Sequence, residues 1–133
     1  MLKLHKDSVP PLSIPFDELE SKQVLIIPPG QVRFIKWDDV HYHADMQGFL
    51  EDGTLIRKGG IEFHLESVYP DDRSVVFRLW NKRSIAMFRP LIETGAARGR
   101  WVKVFKTGEG VSSDYVPTLQ PKDFQPGPGD LTP

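Results

Sequence analysis

The chain has 133 residues, of which 39% are apolar and 26% charged, and it contains no cysteine. This composition is typical of one soluble globular domain, and it excludes a disulfide framework, a cysteine-based zinc site and a thiol nucleophile. The formal net charge of −1 excludes little by itself, whereas the longest apolar run, VLII, is far shorter than the roughly 20 residues of a membrane-spanning helix.

Residues 1–22 are interrupted by prolines and predict an extended N-terminal segment. They lack the continuous apolar core of a signal peptide, so we expect a cytoplasmic protein that has no membrane partner. From residue 23 to 106, short runs of β-branched and aromatic residues alternate with turn sequences such as PPG, EDG and TGAARG. This alternation predicts an antiparallel β domain.

Residues 107–133 contain five prolines from Pro117 onward, few aliphatic residues and a net negative charge. They predict a flexible, acidic, Pro/Gly-rich tail. The expected fold class is therefore all-β: a small antiparallel β-sandwich or partly open β-barrel, built on a four-strand meander and followed by a disordered tail. The alternative is a curved sheet with one short helix over it.

Asp52-Gly53 lies between two strand-like runs and predicts a two-residue type I′ hairpin turn. With that loop, His41 lies opposite His64 on the neighbouring strand. In the same register His43 lies opposite Glu62. The alternation then predicts one apolar face across the meander, which comprises Val40, Tyr42, Ile61, Phe63, Leu65, Val75, Phe77, Leu79, Ile85 and Met87.

The opposite face of this hairpin gathers three histidines and one carboxylate, namely His41, His43, His64 and Glu62. These are the usual ligand types of zinc and iron(II), so they form a candidate divalent-metal site. The alternative is a set of solvent-facing histidines paired with carboxylates of the same sheet.

The HYH sequence at residues 41–43 is similar to the first motif of the cupin family. The resemblance implies a metal-dependent enzyme that uses His41, His43 and His64. The glutamate that follows this motif in cupins is replaced here by Gln47 or Gly48.

Charge is distributed unevenly along the chain. Residues 1–72 carry a net charge of −6, residues 73–106 carry +8, and residues 107–133 carry −3. Such asymmetry indicates either a polyanion or acidic protein partner, or a basic segment that folds against the acidic one.

The basic segment 73–106 also holds aromatic residues that the meander places on the non-core face. In that register Arg78 lies opposite His64, and Trp80 opposite Glu62. Aromatic rings that stack bases and cations that hold phosphates make a platform for single-stranded nucleic acid. The candidate binding residues are Arg78, Trp80, Lys82, Arg83, Phe88, Arg98 and Arg100.

We therefore expect a binding module for a polyanion, with single-stranded nucleic acid as the first candidate, rather than an enzyme. No catalytic residue is assigned, because the sequence has neither a nucleophile elbow nor a phosphate-binding loop. Two alternatives stay open: a protein-interaction or self-assembling (homo-oligomeric) β domain, and the cupin-like metal enzyme. The aromatic residues of the basic segment could instead be buried under another part of the fold.

Overall fold

The computed structural model describes residues 5–6, 24–49, 55–70, 74–108 and 113–133, with side chains for 24–43, 59–70, 74–108 and 113–133. Within these ranges the elements, in chain order, are β1 (His5–Lys6), β2 (Val32–Phe49), β3 (Leu55–Tyr69), β4 (Val76–Leu79), α1 (Lys82–Glu93), β5 (Val102–Lys106), β6 (Tyr115–Leu119) and a 3-10 turn (Pro128–Asp130).

Strands β2 to β6 form one antiparallel sheet in the order β4-β3-β2-β5-β6, and β1 pairs in parallel with β2. The expected all-β class is confirmed. Among the described residues no pairing joins β4 to β6, so the sheet is open rather than a closed barrel. Strand β5 belongs to this same sheet instead of forming a second layer over it. The predicted alternative of a curved sheet with one helix is the nearest description.

The β2–β3 hairpin forms, with a register different from the predicted one. Val40 pairs with Phe63 rather than with Leu65. His41 pairs with Glu62, and β-bulges interrupt β2 after His43 and near Trp37. Around Val40 and His41 the pairing is shifted by two residues from the predicted register. Because side chains alternate with period two, each residue there stays on its predicted face. The predicted Asp52-Gly53 turn lies outside the described residues.

The segment after β4 is a helix, and the prediction that Ile85 and Met87 lie in a strand of the meander is wrong. Asn81 caps α1, since its side chain accepts hydrogen bonds from the backbone N–H groups of Arg83 and Ser84. The helix buries Ser84, Phe88 and Ile92. No helix among the described residues is long and apolar enough to cross a membrane.

The inner face of the sheet, which carries Val40, Ile61 and Phe63, packs against α1. Phe63 lies at its centre, with ring centroids 4.9 Å from Trp37 and 5.2 Å from Phe88. Of the predicted core residues, Val40, Ile61, Phe63, Phe77 and Leu79 are buried there, and Tyr42, Leu65 and Ile85 pack against them. Val75 is 40% exposed, contrary to the prediction, because it lies just before β4 begins.

The sheet continues past residue 107, where the sequence predicts the start of the tail. Strand β6 pairs with β5 over its whole length. Phe77 of β4 and Tyr115 of β6 have ring centroids only 5.4 Å apart, so the two edges of the open sheet curl toward each other around the core. Beyond β6, Phe124 packs on Phe34 at 5.2 Å.

Candidate functional site

The outer face of the sheet, opposite the core, carries a polar cluster centred on the fully buried Glu62. Its Oε2 atom accepts hydrogen bonds from Nε and Nη2 of Arg78, each at 2.6 Å, and its Oε1 atom lies 3.0 Å from Nε2 of His64. Burial alone would raise the pKa of Glu62, but the hydrogen bond from His64 and the adjacent Arg78 charge together lower it. Glu62 is therefore held as a carboxylate.

His43 is the weakly partnered member of this cluster. Its side chain is buried, and its Nε2 atom lies 3.7 Å from Glu62 Oε1, beyond hydrogen-bonding distance. Burial lowers the pKa of His43, because desolvation disfavours the imidazolium and outweighs the attraction of Glu62. His43 is thus a neutral imidazole at neutral pH.

His41 completes the cluster from strand β2. Its Nε2 atom lies 2.7 Å from Asp39 Oδ2, and its ring centroid is 5.1 Å from that of His64. The sheet therefore does bring the three predicted histidines and Glu62 together. However, no group of three or more His, Asp or Glu side chains in the described part of the chain is arranged to hold a metal ion. Both oxygens of Glu62 instead receive hydrogen bonds from protein donors.

The predicted binding residues are not gathered on one surface. Arg78 is buried against Glu62. It pairs with Glu62 on β3, whereas the sequence predicted that it would lie opposite His64. Phe88 belongs to the core, because residues 82–93 are helical. Trp80 is half-buried at the end of β4.

The remaining predicted cations lie on and after α1. Lys82 and Arg83 are exposed in its first turn, and Arg83 Nε is 3.1 Å from Asp114 Oδ1. Arg98 is exposed in the loop that follows. Arg100 donates from Nε and Nη2 to the backbone oxygen of Gln120, at 3.0 and 2.6 Å. The helix and the loop that follows it, rather than the sheet, therefore carry these four cations.

A different basic and aromatic surface lies on the outer face of β2 and β5. Phe34 pairs with Lys103, and Val32 pairs with Phe105. Lys36 Nζ lies 4.8 Å from the ring centroid of Trp101, which places both on this face. We call the surface the outer platform, and its residues are Phe34, Lys36, Trp101, Lys103 and Phe105.

The outer platform was not predicted, although the sequence contains a pattern that indicates it. Trp101, Lys103 and Phe105 recur at every second position of RWVKVFK, and Phe34 and Lys36 do the same in VRFIKW. Period-two spacing places such residues on one face of a strand. The indole Nε1 of Trp101 is also buried without a hydrogen-bond partner among the described residues.

Comparison with known proteins adds no constraint on this site. No protein-family model, no curated protein sequence and no solved structure matches the chain. Any functional conclusion therefore depends on the geometry and charge of these residues.

Proposed function

We propose that this chain is a binding module for a polyanion, that single-stranded nucleic acid is its first candidate ligand, and that the outer platform forms the contact surface. The observation that carries the proposal is the alternation of aromatic rings and ammonium groups on adjacent strands. Phe34 and Lys103 are directly paired, and Trp101 and Phe105 flank Lys103 on the same face. Residues two apart on a strand are separated by about 7 Å, so the rings and the charge form a continuous strip.

Each part of the platform has a chemical role in this proposal. Trp101 and Phe105 are half-buried, so each presents part of a ring on which a base can stack, for about 1–3 kcal/mol per base. Lys103 lies between them and is placed to neutralise a phosphate. The Lys36 ammonium lies over Trp101 and 3.9 Å from the carboxylate of the exposed Glu66. A surface ion pair of this kind contributes little free energy, so Lys36 can exchange the carboxylate for a phosphate.

The topology supports the same class of ligand. Apart from the two-residue β1, the elements follow in the order β2, β3, β4, α1, β5 and β6, and β2 lies between β3 and β5 in the sheet. This is the order of elements in the OB-fold. That fold is a five-stranded, partly open barrel that binds oligonucleotides and oligosaccharides through the face of its second and third strands and the loops beside it, so the topology supports the class of ligand rather than the position of the outer platform. The basic residues of this chain favour a polyanionic oligomer over a neutral one.

The exposed cations on and after α1 contribute at longer range. Lys82 and Arg83 lie on the helix that covers the inner face, and Arg98 lies in the loop that follows it, away from the outer platform. Their charge raises the local concentration of a polyanion and speeds its encounter, mainly at low ionic strength. They therefore retain a steering role in the proposal, whereas Arg78 and Phe88 act in folding.

Fluorescence anisotropy of a labelled oligothymidylate tests the proposal. We expect binding at low salt that weakens as salt rises, because phosphate contacts release counterions. Lys103→Glu should weaken binding by about tenfold or more. The number of phosphate contacts inferred from the slope of log affinity against log salt concentration should fall by about one to two. Arg89→Glu is the matched control, since it makes the same charge change on the exposed face of α1.

Two results would contradict the proposal. One is the absence of binding at low salt, or binding that does not depend on salt. The other is an equal loss of affinity in Lys103→Glu and Arg89→Glu. Binding would then depend on the overall charge of the molecule and not on contacts with the outer platform.

A second candidate, self-association through the sheet edge, is favoured by one observation. Residues 24–27 lie beside β4, with the N–H of Leu25 bonded to the oxygen of Val76, and Ile26 is 68% exposed. An exposed edge with a large apolar side chain can pair with another chain. Light scattering over a range of micromolar concentrations tests this function. A dimer in the native protein and a monomer in Ile26→Lys would support it, and a monomer throughout would exclude it.

A further inference from the structure

The C-terminal segment covers one end of the outer platform. The Phe124 ring lies 5.2 Å from that of Phe34, tilted by 32°, and Phe34 is only 1% exposed. Phe34 belongs to the outer face, because its strand partner is Lys103 and its neighbour Ile35 points into the core. The ring of Phe124 therefore occupies the aromatic position of the platform that would otherwise be open for stacking.

Among the described residues, no hydrogen bond joins residues 121–133 of this cover to a strand of the sheet. The hydrogen bonds of residues 121–133 are local, such as those from Phe124 N to the oxygen of Pro121 and from Asp130 N to the oxygen of Gly127. The firm tie to the sheet comes earlier, where Gln120 bonds to Trp101 and Arg100. A segment that makes no sheet hydrogen bonds can open at lower free energy than the strands, without unfolding the domain.

The segment also has the chemistry of the proposed ligand. Phe124 supplies a ring that packs at a tilt on Phe34, in the place that a base would take, and the adjacent Asp123 supplies an exposed negative charge, as a phosphate would. The sheet immediately beneath carries Lys103, which is complementary to that charge. A ligand that stacks on Phe34 must therefore displace Phe124.

We propose that residues 121–133 form an autoinhibitory strap, which holds Phe124 on Phe34 and is displaced when single-stranded nucleic acid occupies the outer platform. This inference depends on the proposed function and specifies its regulation. A ligand whose site is available in only a fraction of molecules binds with its affinity reduced by that fraction. Release of the strap therefore increases affinity without adding a contact.

The test measures the affinity of the 133-residue chain for labelled oligothymidylate by anisotropy. We expect Phe124→Ala to bind about three- to tenfold more tightly than the native protein, because the closed population falls. Leu131→Ala is the control, since it truncates a half-buried apolar residue of the same segment that lacks the ring contact, and its affinity should stay native. Thermal melts of both variants confirm that the domain is folded.

A second measurement uses the native protein and so does not depend on any variant folding. Chymotrypsin should cut after Phe124 several times faster when oligothymidylate is bound, because displacement exposes that peptide bond. Native binding with no gain in Phe124→Ala, or with no faster cleavage at Phe124, would overturn the strap and leave the proposed function intact. If neither the native protein nor Phe124→Ala bound the oligonucleotide, the strap and the proposed function would both be overturned.

Discussion

Glu62 and Arg78 show how a charged pair can belong to the fold rather than to a binding surface. Both side chains are buried to within 1% exposure, and the pair joins adjacent strands β3 and β4. A buried ion pair gains little net stability over an apolar pair, but the loss of one partner leaves an uncompensated charge. Arg78 therefore acts as the counter-charge of Glu62.

Replacement of Arg78 tests this role. We expect Arg78→Met to lower the free energy of unfolding by about 3–5 kcal/mol, since Glu62 loses both donors to its Oε2 atom. Urea denaturation measures the loss. The double variant Glu62→Gln/Arg78→Met should recover a large part of it, because no charge remains buried. A loss below about 1 kcal/mol in the single variant would show that Glu62 is solvated without Arg78.

His43 predicts a pH dependence of stability. Its pKa is lowered in the fold by burial, so the unfolded chain binds more protons near and below pH 6.5. The contribution of His43 to stability is therefore complete above pH 6.5 and is lost as the pH falls toward the folded pKa. We expect the free energy of unfolding to decline less steeply between pH 7.5 and 5 in His43→Gln than in the native protein. Equal slopes in urea denaturation would show that His43 is not the responsible group.

At the scale of an element, helix α1 is where sequence and structure differ most. The stretch SIAMFRPLI is rich in β-formers and short of helix length, so its alternation predicts a strand. The residues that the helix buries recur four apart, at Ser84, Phe88 and Ile92, and Asn81 supplies an N-cap. This segment forms a helix rather than a strand because the curled inner face of the sheet offers a concave apolar surface that a three-turn amphipathic helix can cover.

Substitution of Phe88 distinguishes the two interpretations. We expect Phe88→Ala to cost about 3–5 kcal/mol of unfolding free energy, because the ring fills the core between Trp37, Phe63 and Phe77. Arg89→Ala, at the adjacent exposed position, should cost far less. If Phe88→Ala left stability unchanged and weakened only ligand binding, Phe88 would belong to a surface platform as the sequence predicted.

At the scale of the whole molecule, contacts between the helix and the last strand close the curl of the sheet. The buried Ser84 hydroxyl oxygen accepts a hydrogen bond from the backbone N–H of Tyr115, at 2.9 Å. Asn81 Nδ2 donates to the oxygen of Ser113. These contacts position β6 on the rim of the core, and with it the start of the C-terminal segment.

Ser84→Ala tests this connection. The substitution leaves the Tyr115 N–H without its acceptor, which we expect to cost about 1–3 kcal/mol. Amide hydrogen exchange should accelerate at Tyr115 and along β6, while β2 and β3 keep their protection. Uniform acceleration across the sheet would contradict a local closing role, and so would unchanged exchange at Tyr115.

The sequence was sufficient for the all-β class and for most inward-facing residues of β2 to β4. Period-two alternation survives a register error of two residues, so Val40, Ile61 and Phe63 point inward in either pairing. The sequence also predicts that the three histidines and Glu62 share a face. It could not assign Arg78 to Glu62, because the length of the β3–β4 loop sets which residues of those two strands meet.

What the sequence by itself determined is therefore local: which stretches are extended, which side of each strand is apolar, and where positive charge accumulates. Only the tertiary structure decided that residues 82–93 form a helix, that β6 extends the sheet, and that Phe88 and Arg78 are buried while Phe34, Lys103 and Trp101 share the outer platform. The physical reason is that alternation depends on neighbours along the chain. Burial and charge pairing depend instead on which distant strands and helices pack together.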